Sequence, residues 1–242
     1  VELLKSHFLA QENGHSFIRW RLSENASTNA LIDDIRIIKA LEQASAIFGN
    51  EDYKIIADQL SEAVSSVQSE GSYTVDFYDW SLELPAQRLT LSYLDNNGAI
   101  TPESYGLLDK YDTGEVFSPE YYDTAAEQYI SSNEVHMIDQ LLIALNREKS
   151  GQPSEQFAEW LKEEWNQEQK LYGRYDRQKL KATVDYESLA VYYYLHTYFS
   201  MTGNSDLADE VFQHTLEIAA DGMLDNAHFF GFIHYQMLAQ KQ

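Results

Sequence analysis

The chain has 242 residues and no cysteine, so disulfides and thiolate metal sites are excluded. Its 39 acidic residues outnumber 17 basic ones, and the formal net charge of −22 argues against nucleic acid or an anionic membrane surface as a partner. No apolar run reaches the roughly 18 residues of a membrane-spanning helix. A hydrophobic fraction of 44% allows a sizeable core, and we expect one domain over residues 1–242.

Two kinds of helical pattern alternate along the chain. Residues 29–48 are apolar on nearly every side and end at Gly49, whereas residues 51–68 follow the capping residue Asn50 and carry one apolar stripe. The aromatic stretch SYTVDFYDW that follows alternates partly, as strands and loops do. The alternation predicts almost wholly apolar helices from about residues 29, 88, 134, 186 and 226, and one-faced helices from about residues 1, 51, 118, 153 and 204.

This alternation predicts two concentric layers of helices. A helix that is apolar on all sides is buried on all sides, and a one-faced helix belongs to a solvent-facing shell. We therefore predict an all-α fold, an (α/α)6 toroid of helical hairpins whose short strand-like loops gather at one end. The patterns give five inner helices, one fewer than this toroid needs. Since Val1 lies inside an amphipathic pattern, we expect the first inner helix to precede it.

Carboxylates and flat aromatic side chains are concentrated where loops enter the predicted inner helices. Asp33 and Asp34 lie in the first turn of one of them, where the helix dipole favours acids but burial of an unpaired carboxylate is costly. Aromatic rings can stack on the apolar faces of sugars, and glycoside hydrolysis needs two carboxylates across the scissile bond. The predicted sugar contacts are Asn29, Asp33, Trp20, Asp76, Tyr78, Asp79, Trp80 and Tyr186. The alternatives are loop packing for the aromatic residues and ordinary first-turn positions for the acids.

Several stretches carry a resemblance to glycoside hydrolase family 8. They are NALIDDIRIIKALEQASAIFGNEDYKIIADQL, VDFYDW, LTLSYLD and the closing DNAHFFGF, and the similarity to a bacterial, exopolysaccharide-associated branch of that family extends over the whole chain. The resemblance implies an (α/α)6 toroid that hydrolyses β-1,4-linked glycans with inversion. We accordingly expect a polysaccharide substrate, an extracellular or cell-surface location and a monomer. The seven histidines show no metal-ligand spacing, and we expect no metal or cofactor.

The resemblance also implies catalytic roles for two carboxylates of this chain. The family opens this inner helix with Asp-x-Asp, and the matching positions here are Ile32, Asp33 and Asp34, so only the second acid, Asp34, is kept. Glu187 falls on the position of the catalytic base, where the family has Asp, and Asp185 is predicted to cap the same helix. The family's general acid is a Glu on the first inner helix. We therefore expect the acid upstream of residue 1, and no activity from the 242 residues alone.

Two other classes of function stay open. In a non-catalytic carbohydrate-binding toroid, Ile32 and Glu187 would mark decay of the site. In an α-helical scaffold, the partner would be a protein. A Glu in an apolar helix before Val1 would favour the enzyme, and a glycan array without any binding would favour the scaffold.

Overall fold

The computed structural model describes residues 1–23, 25–96, 98–111 and 114–240. These residues group into two compact units: unit 1 is Val1–Lys110 with Tyr121–Ile130, and unit 2 is Tyr111–Glu120 with Ser131–Gln242. The single domain over 1–242 stays a prediction. Within the described ranges, no helix has both the length and the apolar character that crossing a membrane requires.

Unit 1 is built around one long helical hairpin. Its helices are α1 (Glu2–His7), α2 (Leu31–Phe48), α3 (Glu51–Val67), α4 (Pro102–Tyr105) and α5 (Leu107–Lys110). Gly49 ends α2 with a positive φ of 63°, and the side chain of Asn50 caps α3 by accepting a hydrogen bond from the backbone N–H of Asp52. The hairpin predicted from the apolar periodicity is therefore confirmed.

Unit 1 also contains nine short antiparallel strands among its described residues. Strand β1 (Leu9–Glu12) pairs with β2 (His15–Ile18), β3 (Ser69–Glu70) with β4 (Tyr73–Thr74), and β5 (Tyr78–Asp79) with β6 (Leu84–Pro85). A three-stranded sheet is formed in the order β7 (Arg88–Thr90), β8 (Tyr121–Asp123) and β9 (Gln128–Ile130).

The helices predicted from about residues 88 and 118 are wrong, because these segments form the three-stranded sheet. Tyr122 lies opposite Tyr129 in the register, and their rings meet edge to face at 5.1 Å. The turn between β8 and β9 is stabilised by Asp123, whose carboxylate accepts the backbone N–H groups of Ala125 and Ala126. Cross-strand pairing of this kind outweighs a weak helical pattern.

Unit 2 contains the remaining long helices. They are α6 (Met137–Ser150), α7 (Glu155–Glu168), α8 (Leu189–Met201), α9 (Ser205–Ile218) and α10 (Phe229–Ala239). Strand β10 (Glu134–His136) pairs with β11 (Arg174–Asp176) just before α6. Helix α8 packs against α6, α9 and α10, and its tyrosines 192 and 198 are fully buried in the core. The inner helices predicted from about 134, 186 and 226 are thus present, each beginning a few residues later than expected.

Candidate functional site

In unit 1, the segment that precedes α2 contacts the segment that follows α3. The backbone N–H of Leu31 donates to the carbonyl of Asp76 at 2.8 Å, and the N–H of Trp80 donates to the carbonyl of Ser27 at 3.0 Å. The N–H of Trp20 donates to the carbonyl of Thr28 at 3.2 Å. Unit 1 therefore brings the predicted site residues of three chain segments to the start of one helix.

Asp34 lies inside this cluster and not on its surface. Asp34 is 2% exposed, and its Oδ2 accepts a hydrogen bond from the side-chain amide of Asn29 at 2.6 Å. The same amide nitrogen donates to Gln68 at 2.5 Å, and the oxygen of Asn29 accepts the backbone N–H of Tyr78 at 2.7 Å. Asp34 and Asn29 thus tie the start of α2 to the loop around Tyr78. Both side chains are buried in this structure, and the catalytic role of Asp34 and the sugar contact of Asn29 stay predictions.

The two adjacent acids of α2 differ in their surroundings. Burial raises the pKa of Asp34 well above its ordinary value, the hydrogen bond from Asn29 opposes this, and the charge of Asp33 adds to it. Burial also raises the pKa of Asp33, against the nearby charge of Arg36, but Asp33 is only half-buried. Of the pair, Asp33 is therefore the carboxyl that a ligand can reach.

We expect Asp34 to make the stability of the protein fall with rising pH. Its pKa is raised in the folded state, so the stabilisation is complete below the ordinary carboxyl range and is lost as the pH rises through the raised pKa. Asp34→Asn should flatten this slope in urea unfolding measured from the ordinary carboxyl pKa of about 4 upward. Asp34→Ala should cost about 1–3 kcal/mol, because it removes one of the two acceptors of the buried amide nitrogen of Asn29. Equal slopes in the wild type and Asp34→Asn would contradict the assignment, and Asp58→Asn on the exposed side of α3 is the control.

Three of the other predicted contacts in unit 1 are also buried among protein side chains. The rings of Tyr78 and Trp80 are buried and both stack on Phe17, at 5.6 and 5.1 Å. Asp76 is buried and accepts the backbone N–H and the hydroxyl of Thr90, each at 2.6 Å. Burial raises the pKa of Asp76, and these hydrogen bonds oppose the shift. Asp76, Tyr78 and Trp80 are thus buried in this structure, and their sugar-binding role stays a prediction.

Asp79 and Trp20 lie closer to the surface. Asp79 is half-buried, and one of its oxygens accepts hydrogen bonds from the backbone and hydroxyl of Ser81 at 2.9 and 2.7 Å, which shapes a turn. Trp20 is 51% exposed, with the guanidinium of Arg21 at 4.8 Å from its ring centroid. Trp20 and Asp33 thus remain the open members of the predicted unit 1 set.

Glu187 lies immediately before α8 in unit 2. The helix begins at Leu189 with Ser188 as its N-cap, so the prediction that Asp185 caps it is wrong, and Asp185 is exposed four residues before the helix. Glu187 itself is in extended backbone that bridges to Tyr172. Its side chain is 15% exposed. The late start of α8 therefore removes Glu187 from the first turn but keeps it at the mouth of the helix.

One oxygen of Glu187 is held by two donors. Its Oε2 accepts hydrogen bonds from the hydroxyl of Tyr192 and from Nε2–H of His214, the latter at 2.7 Å. The other oxygen, Oε1, lies 3.8 Å from the ammonium of Lys170. Burial raises the pKa of Glu187, but the hydrogen bonds from Tyr192 and His214 and the charges of His214 and Lys170 outweigh it, so the pKa lies below its ordinary value. Glu187 is thus ionised with one oxygen uncommitted to a short hydrogen bond.

A pocket of about 460 Å³ opens beside Glu187, entirely within unit 2. Its lining includes Glu187, Ser188, Asn226, His228, Phe230 and Gly231. The lining residues from Asn226 onward follow the turn Ala219–Met223. Gly222 has a φ of 100° in this turn, a conformation that residues with a side chain rarely adopt. The lining combines an ionised carboxylate, an amide and an aromatic ring, which are the groups that bind hydroxyls and apolar faces of sugars.

Tyr186 stands next to this site on exposed surface. Its ring lies across Gly173, and a Cβ at that position would come within 2.3 Å of the ring. The backbone N–H of Gly173 also donates to the carbonyl of Tyr186 at 3.2 Å. Tyr186 is 46% exposed, so the predicted contact with a sugar is sterically open.

The beginning of α6 repeats the beginning of α2, which the sequence analysis missed. Helix α2 opens with Leu-Ile-Asp-Asp and α6 with Met-Ile-Asp-Gln. Gln140 takes the position of Asp34, is equally buried, and binds the backbone N–H and carbonyl of Ser118 at 2.8 and 3.0 Å. Asp139 accordingly takes the position of Asp33. The local repeat IDD and IDQ was the signal that could have identified it.

The described part of the chain shows no group of three or more His, Asp or Glu side chains that could hold a metal ion.

Comparison with known proteins identifies relatives of this chain. It is 30% identical to PssZ from Listeria monocytogenes, whose crystal structure matches 99% of this chain and 77% of that chain with a TM-score of 0.89. It is 31% identical over 189 residues to the Bacillus subtilis (strain 168) protein named "Putative lipoprotein YdaJ", which covers 72% of this chain and 52% of the relative. The chain thus spans about half the length of that curated relative. No protein-family model matches the chain.

The fold is also shared with more distant solved structures. Endoglucanase Cel10, a family 8 glycosyl hydrolase from Klebsiella pneumoniae, matches 88% of this chain and 81% of its own with a TM-score of 0.58 and 12% identity. Such a match establishes the fold alone. Together with the identity to PssZ, it confirms the resemblance that the sequence motifs carry. The chain belongs to the family of PssZ and has the toroid-type glycosidase-related fold of glycoside hydrolase family 8.

Proposed function

We propose that the protein is a glycoside hydrolase that cleaves a bacterial exopolysaccharide with inversion, with Glu187 as the general base. The observation that carries the proposal is the position of Glu187, whose carboxylate lies at the edge of the 460 Å³ pocket and is held through one oxygen by Tyr192 and His214. A general base must be ionised at the working pH and must have a free oxygen for the attacking water. Glu187 meets the first condition because its pKa lies below the ordinary value. It meets the second because its two short hydrogen bonds fall on the same oxygen.

The proposed reaction is a single displacement at the anomeric carbon. Glu187 takes a proton from water as the water oxygen bonds to that carbon, while a second carboxylic acid gives a proton to the departing glycosidic oxygen. Inverting enzymes keep the two carboxyl groups roughly 6.5–9.5 Å apart, which leaves room for the water. Tyr186 and the pocket residues Asn226 and Phe230 would bind the sugar beside Glu187. The relative named a lipoprotein supports, as a proposal, a cell-surface or extracellular location.

Product stereochemistry tests this proposal. The 242-residue chain and a longer chain that contains it are each incubated with bacterial exopolysaccharides and β-linked oligosaccharides. Proton NMR of the first product should show the α anomer before mutarotation. A first-formed β anomer would contradict inversion. Binding without cleavage would support the carbohydrate-binding alternative, and the absence of both would support the scaffold.

We expect Gly173→Ala to weaken sugar binding through Tyr186. The added Cβ would collide with the ring, which must swing away from its exposed position. Loss of one aromatic contact costs roughly tenfold in affinity, so Gly173→Ala and Tyr186→Ala should lower binding to a similar extent in calorimetry with an oligosaccharide. Gly98→Ala is the control, because its Cβ would meet no atom within 4 Å. Unchanged affinity in both variants would remove Tyr186 from the site.

A further inference from the structure

The imidazole of His214 reaches Glu187 from a different helix. We infer that His214 is a positioning residue for Glu187: together with the hydroxyl of Tyr192 it holds one carboxylate oxygen, so that the other oxygen is presented to the attacking water. This inference rests on the proposed function, because it assigns Glu187 the role of base. His214 lies on α9, 27 residues further along the chain, and its side chain is 18% exposed.

Two donors on one oxygen fix the rotation of a carboxylate. A single hydrogen bond would leave the group free to turn about its Cγ–Cδ bond and to exchange its oxygens. The hydroxyl of Tyr192 and the Nε2–H of His214 both point at Oε2, and the only ion pair of Oε1 in the described residues is the 3.8 Å contact with Lys170. Oε2 is thereby saturated, and Oε1 is the oxygen that can accept a proton from water.

The two donors are themselves held in place. The ring of His214 meets the ring of Tyr192 edge to face at 5.0 Å and that of Trp165 at 5.7 Å. The indole N–H of Trp165 donates at 2.9 Å to Glu210, which lies one turn before His214 on the same helix. The hydroxyl of Tyr192 also accepts the backbone N–H of Leu171 at 3.3 Å. A catalytic carboxylate supported in this way is oriented by packing and not by flexible side chains.

The charged and titratable groups around Glu187 come from four segments. Lys170 follows α7, Tyr192 is on α8, His214 is on α9, and His228 lines the same pocket just before α10. The hydrogen bond from His214 and its charge both lower the pKa of Glu187. His214 therefore stabilises the ionised form of Glu187.

The titration of Glu187 in the 242-residue chain tests the inference directly. The carboxyl carbon is followed by NMR and assigned by its absence in Glu187→Gln. His214→Phe removes the donor and the charge, and we expect the titration midpoint of Glu187 to rise by roughly one pH unit. His214→Gln places a neutral N–H donor near the same point and should give a smaller rise. His15→Gln, which removes a histidine–glutamate pair in unit 1, should leave the midpoint unchanged.

An unchanged midpoint of Glu187 in His214→Phe would overturn the inference, whatever the protein cleaves. If that variant does not fold, His214→Gln decides in the same way, since it also loses the charge. In a form with turnover, His214→Phe should lower kcat with little change in KM and move the acid limb of the kcat/KM profile upward by the same shift, with partial rescue in His214→Gln. The midpoint of Glu187 could shift in His214→Phe while Glu187→Gln keeps full turnover. That combination would refute the assignment of Glu187 as the base and therefore the positioning role of His214. The hydrogen bond between His214 and Glu187 would still be supported.

Discussion

Glu187→Gln should lower the turnover of glycan by roughly 10²–10⁴-fold, the usual contribution of a general acid or base. The amide oxygen of glutamine can still accept the hydrogen bonds of Tyr192 and His214, but it cannot take a proton from water. We therefore expect glycan affinity and Tm to stay close to those of the wild type. The measurements are initial rates in a form of the protein with turnover, calorimetric binding and thermal unfolding.

Two matched variants make this result specific. Asp185→Asn removes an exposed acid two residues away that caps no helix, so neither the rate nor the Tm should change. Asp139→Asn tests the acid that occupies in α6 the position of Asp33 in α2. Full turnover of Glu187→Gln together with its loss in Asp139→Asn would move the base to the start of α6. Asp76 and Asp34 are poor rivals, because both are buried among their own hydrogen-bond donors.

The largest loss of stability is expected from Arg177→Met. The side chain of Arg177 is 8% exposed, and its guanidinium donates to the carbonyls of Phe117, Ser118 and Ser132 at 2.7–2.9 Å and to Glu120 at 2.6 Å. Removal of one member of a buried ion pair typically costs 3–5 kcal/mol, because the other charge loses its partner. We expect a decrease of about 3 kcal/mol or more in the free energy of unfolding.

Urea unfolding monitored by circular dichroism measures this change. Arg177→Lys keeps the charge but loses the planar fork, so its stability should lie between those of the wild type and Arg177→Met. Lys54→Ala on α3 breaks an exposed ion pair with Asp58 and should give no measurable change. If Arg177→Met unfolds at the same urea concentration as Lys54→Ala, the hydrogen bonds of Arg177 contribute little net stability.

The sequence predicted the elements that depend on local pattern. The apolar periodicity located α2, α3, α6 and α8, and Gly49 and Asn50 marked the boundary of the first hairpin correctly. The sheet of β7, β8 and β9 was missed because Arg88 pairs with Asp123, and no local pattern encodes a partner that distant. Periodicity in that region was therefore taken for helix.

The candidate site could be predicted only in part, for the same reason. Asp33 and Asp34 are adjacent in sequence, and Asp34 is buried where it meets Asn29, whose amide is held by Gln68 at the end of α3. The family resemblance pointed to Glu187, but nothing in the sequence indicated that His214 would contact it. Tyr78 and Trp80 were assigned to sugar binding because an aromatic residue in a loop has the same composition whether it packs inward on Phe17 or faces solvent.

The division of the chain between the units has a consequence for its synthesis. Residues 111–120 belong to unit 2, but residues 121–130 return to unit 1 and supply the two strands that complete the sheet of β7. On the ribosome, unit 1 therefore cannot finish folding until Ile130 has emerged, although most of its residues appear earlier. A nascent chain that stops at Lys110 exposes the edge of β7 and the otherwise buried Leu89, and unpaired edges of this kind recruit other chains. While residues 90 to 130 emerge from the ribosome, unit 1 therefore has an unpaired strand edge at which other chains can bind.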